Sequence, residues 1–174
     1  MHRPVLDDSA KRKGQRLTVK EEALQAIYRD ADKRICLPAQ HVKAALRQAA
    51  NEYKVPGRGR GTYRGHVMAG ITVLPSEIPL HIPNNLDPEE TWVLDVRPVR
   101  VQRARVLRGR PRFDKWELEF EIEVEDDLLD SEILKTLVEH AGRYEGIGDF
   151  RPEFGLFTCL KIEQCICEEG ETKK

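Results

Sequence analysis

The stretch WELEFEIEV, residues 116–124, restricts the fold of this chain more than any other. Trp116, Leu118, Phe120, Ile122 and Val124 alternate with Glu117, Glu119, Glu121 and Glu123. Successive side chains of a strand point to opposite faces, so this period of two sorts every apolar group to one side. A strand buried on both faces could not carry four carboxylates. The segment therefore predicts a half-buried antiparallel strand over 113–124, with an acidic face in water. The rest of the chain has to supply its partners and its cover.

Helices provide the cover. Thr18-Val19-Lys20-Glu21 reads as a capping box, opening a helix to about Arg29 with Val19, Ala23, Ala26 and Ile27 on one stripe. Ile35 to Leu37 is a short apolar strand. Pro38 suits the first residue of a second helix, about 38–53, with Val42, Ala45, Leu46 and Ala49 inward. A third helix, capped by Asp130 or Ser131, runs to about His140 and stops at Gly142. Its inward residues are Ile133, Leu134, Leu137, Val138 and Ala141. Residues 67–73, Thr91 to Val96 and Phe157 to Cys167 read as strands, the last with Leu160, Ile162 and Ile166 on one face. Residues 97–112 read as an arginine-rich strand or ribbon, and 75–90, with its prolines and Asn84-Asn85, as an irregular excursion. The order predicts α+β: an antiparallel sheet with packed helices, ferredoxin-like or RRM-like in plan. One domain is expected over 17–168, between a flexible basic segment 1–16 and a disordered tail 169–174.

Charge is unevenly distributed. The net charge is −1, yet residues 54–112 hold eleven basic against five acidic residues, and 113–174 hold seven against eighteen. Such segregation suits a basic face for nucleic acid and an acidic face for solubility or for docking on a neighbouring copy. No apolar run approaches the ~20 residues of a membrane helix. The N-terminus MHRPVLDDSAKRKGQR lacks the apolar core of a secretory signal. A cytoplasmic setting with free thiols at Cys36, Cys159, Cys165 and Cys167 is the expectation. The spacing C-x5-C-x-C is poor for zinc, and Glu125-Asp126-Asp127 with Asp130 fit a turn and a helix cap better than a Mg²⁺ site. No metal and no cofactor are expected.

The glycine-dense stretch GRYEGIGDFRPEFGLF, residues 142–157, matches neither phosphate-loop pattern. No lysine follows Gly148 or Gly155, and Gly146-Ile147-Gly148 lacks the third glycine of a dinucleotide fingerprint. Gly146, Gly148, Asp149, Arg151 and Gly155 read as a structural corner in which Asp149 and Arg151 could pair.

Three segments together, VLDVRPVRV, RGRPRFDKWELEFEI and AGRYEGIGDFRPEFGLF, resemble an uncharacterised family of small phage and prophage proteins over about residues 23–163. Pro38 to Arg47 and the glycine turn are also similar in plan to RAMP-type backbone subunits of CRISPR effector complexes. The resemblance implies an RRM-like sheet and a bacterial host cell as the setting. Folds of that plan begin with a strand before the first helix, whereas this chain starts at Met1-His2-Arg3. Two expectations stand: either the start codon is internal, or the sheet lacks its first strand, which would leave an edge for a partner.

The candidate nucleic-acid contacts are Lys54, Arg58, Arg60 and Arg64 in the loop KVPGRGRGTYRGH, and Arg103, Arg105, Arg108, Arg110 and Arg112 beyond it. Lysine and arginine neutralise phosphates, and Tyr63 is placed to stack on a base. The alternative is a solvated loop, with Arg103 or Arg105 paired across the sheet to Glu119 or Glu121. His41 and His66 are the only catalytic candidates. A histidine pair beside a cationic groove could cleave RNA by general acid/base chemistry, as RAMP-type endoribonucleases do. The leading expectation is a non-enzymatic protein that binds single-stranded DNA or RNA as a multimer. The rivals are an interaction module that inhibits or mimics part of a host defence complex, with the acidic strand as its working surface, and the endoribonuclease.

Overall fold

The computed structural model describes residues 17–82, 92–101 and 104–165. Arg103, Ile166, Cys167, both terminal segments and most of the excursion after His81 lie outside the described residues. Contacts divide the described chain into two compact units, 17–39 with 74–121, and 40–73 with 122–165. Both mix helix with strand, as expected of an α+β chain; the first unit's pairings are antiparallel, and the sheets are small and open.

The first unit starts at α1 (Val19–Ala26). Its capping box is complete: the Thr18 hydroxyl accepts from Glu21 N, and the Glu21 carboxylate accepts from Thr18 N at 2.8 Å. Ala23 and Ile27 are buried from the predicted stripe. β1 (Cys36–Pro38), β3 (Glu77–His81) and β6 (Glu117–Leu118) form a three-stranded sheet, with Leu37 opposite Ile78 and Leu80 opposite Leu118. β4 (Val93–Val101) and β5 (Ala104–Arg112) make a long hairpin, in register from Val93↔Arg112 to Val101↔Ala104. α1 lies on β5 with Gly109 beneath Val19, where any Cβ would strike the Val19 carbonyl. Glu22 closes the contact by accepting from Arg108 Nη1 (2.6 Å) and Arg110 Nη1 (3.3 Å).

The second unit is built on α2 (Ala39–Ala49), whose predicted apolar face, Val42, Ala45, Leu46 and Ala49, is buried throughout. α3 (Arg64–Gly70) feeds β2 (Ile71–Leu74), which pairs with β7 (Glu121–Val124). α4 (Ser131–His140) has Asp130 as its cap, Oδ1 accepting from Ile133 N at 2.8 Å, and buries Leu137 and Val138. Lys43 reaches from α2 to the Ile71 carbonyl at 2.6 Å, tying helix to strand.

Several expectations are corrected. Strand 113–124 is divided: its alternation persists in burial as far as Glu123 and fails at Val124, which is exposed, and β6 joins β3 while β7 joins β2. Alternation sets a residue's face and leaves its partner strand open. Arg105 consequently faces Arg100 in the hairpin and not the glutamates. Residues 64–70 are helical where a loop and strand were expected, because Tyr63, Val67 and Gly70 are buried at helical spacing. The excursion contains a real strand, β3. Gly142 does not stop the third helix. A π-turn (Ala141–Glu145) carries it on to Gly146, whose positive φ of 67° ends it. No strand forms over 157–165 among the described residues, and Leu160 is 81% exposed. Phe157 and Cys159 are the half-buried pair there, so the segment presents the opposite face from the one expected.

Candidate nucleic-acid interface

The basic residues 54–64 occupy a closed knuckle of chain. Tyr63 N donates to Tyr53 O (3.0 Å), Lys54 and Thr62 form a bridge, and Val55 N donates to Gly61 O (2.9 Å). Val55 and Tyr63 anchor the knuckle in the core. Tyr63 is only 5% exposed, so it cannot be the stacking platform expected of it. Its aromatic body takes a core position at the mouth of α3. Lys54, Arg58, Arg60 and Arg64 are exposed. Lys54, Arg60 and Arg64 have no ion-pair partner among the described residues, which suits them to phosphate.

The hairpin arginines are otherwise engaged. Arg108 and Arg110 hold Glu22, and Arg112 Nε donates to Asp114 at 2.7 Å. Burial pushes the Glu22 carboxyl up, but the Arg108, Gly109 and Arg110 hydrogen bonds outweigh it and hold the group below its ordinary value. These three arginines also hold the first unit together, a role beyond the phosphate contacts expected of them. Arg105 stays exposed.

Sequence reasoning missed a groove of about 490 Å³ in the second unit. Arg47 and Gln48 of α2 line one part, and Tyr144, Glu145, Asp149, Phe150 and Arg151 are among the residues that line the rest. The glycine corner builds that wall. Ile147 N donates to Gly155 O, and Phe157 N to Gly142 O, each at 2.9 Å, closing residues 148–154 into a loop. Gly155, at φ 79°, has no room for a Cβ against the Ile147 carbonyl. Asp149 Oδ1 accepts from Phe150 N at 3.0 Å, a local role beside the pairing with Arg151 expected of it. The closure turns aromatics outward: Tyr144 is 56% exposed and Phe150 48%. Phe150 packs on Phe154, with ring centroids 6.2 Å apart. A chain of contacts links groove and knuckle, because Tyr53 Oη meets His140 Nδ1 at 3.1 Å and the His140 ring lies 4.8 Å from that of Tyr144.

The two candidate histidines have different neighbours. His41 is half-buried; burial, then the Arg151 charge, lowers its pKa, against the opposing pull of Asp149. His66 Nδ1 lies 2.6 Å from Asp126 Oδ2, and its Nε2 lies 3.4 Å from Arg58 Nη1. Burial pushes the Cys36 thiol up to about 11, with Glu77 and Asp30 adding to the effect, so it stays protonated and unreactive at neutral pH. Among the described residues no group of three or more His, Cys, Asp or Glu side chains is placed to hold a metal ion, and no helix is long and apolar enough to cross a membrane. Compared with protein-family models, with curated proteins and with solved structures, the chain matches none.

Proposed function

We propose that the protein binds single-stranded nucleic acid, with bases laid in the groove beside α2 and phosphates gripped by the groove arginines and the basic knuckle. The observation that carries this reading is the exposed pair Tyr144 and Phe150 set beside Arg47 and Arg151 in one open groove. Aromatic faces accept any base, worth about 1–3 kcal/mol each, while guanidinium groups neutralise the backbone. A duplex hides its base faces, so it gains only the charge term.

Fluorescence anisotropy with labelled oligo(dT), oligo(U) and a duplex, each titrated with salt, tests it. Single strands should bind more tightly than duplex. Replacing Arg58, Arg60 and Arg64 with glutamine should flatten the log–log salt slope by about 0.7 for each phosphate no longer neutralised. Tyr144→Ala should weaken binding with little change of slope. Equal affinity for duplex and single strands, unmoved by Tyr144→Ala, would sink the reading.

A second reading, an interaction module, draws on a different observation. Glu117, Glu119, Glu121 and Glu123 are all exposed and have no ion-pair partner among the described residues. Capture of a basic protein or a second copy, abolished when these glutamates become glutamines, would favour it. The ferredoxin-like, RRM-like plan also belongs to the proposal. It draws support from helices alternating with antiparallel strands, and an experimental structure containing one continuous sheet would establish it.

A further inference from the structure

The pair formed by His66 and Asp126 is more elaborate than a surface contact. Asp126 is positioned from three sides. Its Oδ1 accepts from Leu128 N (3.0 Å), its Oδ2 meets His66 Nδ1 (2.6 Å), and its Cβ packs on Gly70 where no side chain would fit. The neighbouring Glu125 N donates to Gly70 O at 2.9 Å, which fixes the backbone there. The His66 hydrogen bond, then the Leu128 N–H, lowers the Asp126 pKa, so this carboxylate is ionised at neutral pH. A carboxylate only accepts, so Nδ1 must carry the proton. Nε2 is left facing Arg58 at the knuckle.

That assignment gives the ring two states. In the neutral ring, Nε2 is an acceptor and the Arg58 guanidinium can donate to it. In the imidazolium both nitrogens donate, and Nε2–H then faces Arg58 with like charge against like charge. An anion between them relieves that conflict, since an oxygen of a phosphate can accept from both. Tyr63 is the other ring neighbour, in an edge contact with centroids 6.2 Å apart. The charged groups facing His66 are thus Arg58 from the knuckle and Asp126 from the β7–α4 connection.

We propose that Arg58 and His66 form a proton-gated phosphate site, oriented by Asp126, that takes one backbone phosphate of the bound strand. The proposal rests on the nucleic-acid reading for its natural ligand, though the chemistry is that of any phosphate ester. His66 is a binding residue here and Asp126 a positioning residue. Because the imidazolium is the binding form, affinity rises as pH falls. One coupled proton limits the gain to about tenfold per pH unit.

Two measurements on the full chain test it. In the first, oligo(dT) affinity is followed with pH for wild type, His66→Gln and Asp126→Asn. Wild type should bind more tightly at low pH. His66→Gln should flatten the dependence by losing the low-pH gain, while Asp126→Asn should bind less tightly at low pH. In the second, inorganic pyrophosphate is added to wild-type protein and the His66 Cε1–H resonance is followed by NMR. It should shift at pH 6 more than at pH 8. A pyrophosphate response without oligonucleotide binding would leave the site standing for free phosphate and remove the nucleic-acid reading. Oligonucleotide binding with the same pH dependence in wild type and His66→Gln, and a silent His66 resonance, would overturn the site and leave that reading intact. Silence in both removes both.

Discussion

Phe150 holds a backbone φ of 59°, a left-handed conformation that costs a side chain with a Cβ about 1–2 kcal/mol. Its ring is half out in water and packs on Phe154. Strain of this kind persists where surrounding structure enforces it, and it concentrates at functional sites. Phe150→Gly should therefore match or exceed Phe150→Ala in stability by about 1 kcal/mol in urea denaturation, because alanine keeps the strain and glycine loses it. Both should weaken single-strand binding by about 1–3 kcal/mol if a base stacks on the ring. Phe150→Ala proving the more stable would show that the conformation is not strained. The sequence marks this corner by its glycines, and Gly146, Gly148 and Gly155 do have positive φ. It does not mark which aromatics face out. That depends on the bonds from Ile147 to Gly155 and from Phe157 to Gly142, which lie at sequence separations no local pattern reports. Tyr63 illustrates the converse: its charged neighbours suggest a surface ring, but the Tyr53–Tyr63 backbone bond turns it inward.

Among the elements, α1 and the β4–β5 hairpin depend on each other. An eight-residue helix is marginal alone, and α1 persists through its capping box and its seat on β5. The seat needs Gly109, since a Cβ there would meet the Val19 carbonyl and side chain. Gly109→Ala should lift the helix and cost about 1–3 kcal/mol, typical of overpacking. Hydrogen exchange should show the loss of protection concentrated at the amides of 19–26, with those of α4 unchanged. Uniform destabilisation, or none, would mean the helix is held elsewhere. Helix signals were the most legible part of the fold: both capping residues, Thr18 and Asp130, and the α2 stripe stand where the pattern places them. Strand pairing was less so. Period two is satisfied equally by one long strand or by two short ones in different sheets, which is how residues 117–124 are shared between β3 and β2. The arginine ribbon was legible as a ribbon, but the role of its charges was not, because Glu22 meets Arg108 and Arg110 from 86 and 88 residues away.

At the scale of the molecule, most of the ion pairs among the described residues join groups within the basic part of the chain and so leave the charge segregation along it in place. Arg34 pairs with Asp30 and Asp32, Arg97 with Asp95, Arg112 with Asp114, and Arg108 and Arg110 with Glu22. Four carboxyls, Glu22, Asp30 and Asp114 of these pairs and Asp126 beside His66, respond in one direction. At Glu22 and Asp30 burial acts upward, yet the arginine hydrogen bonds prevail; at Asp114 the Arg112 hydrogen bond leads, and at Asp126 that of His66. All four titrate below their ordinary values in the folded chain. A lowered folded pKa means that the unfolded chain takes up protons first as pH falls. The stabilisation is therefore complete above the unfolded carboxylate range, about pH 4–5, and is lost as pH falls through the folded values. Exposed pairs of this kind contribute little individually, so the loss should be gradual and shared. Circular dichroism melts between pH 7 and pH 3 should show Tm level down to about pH 5 and falling below it. Glu22→Gln should melt lower than wild type at pH 7 and show a shallower fall in acid, because the group whose protonation drives part of that fall is gone. A Tm that rises on acidification, or a Glu22→Gln profile parallel to wild type, would show that these clasps do not govern stability in acid.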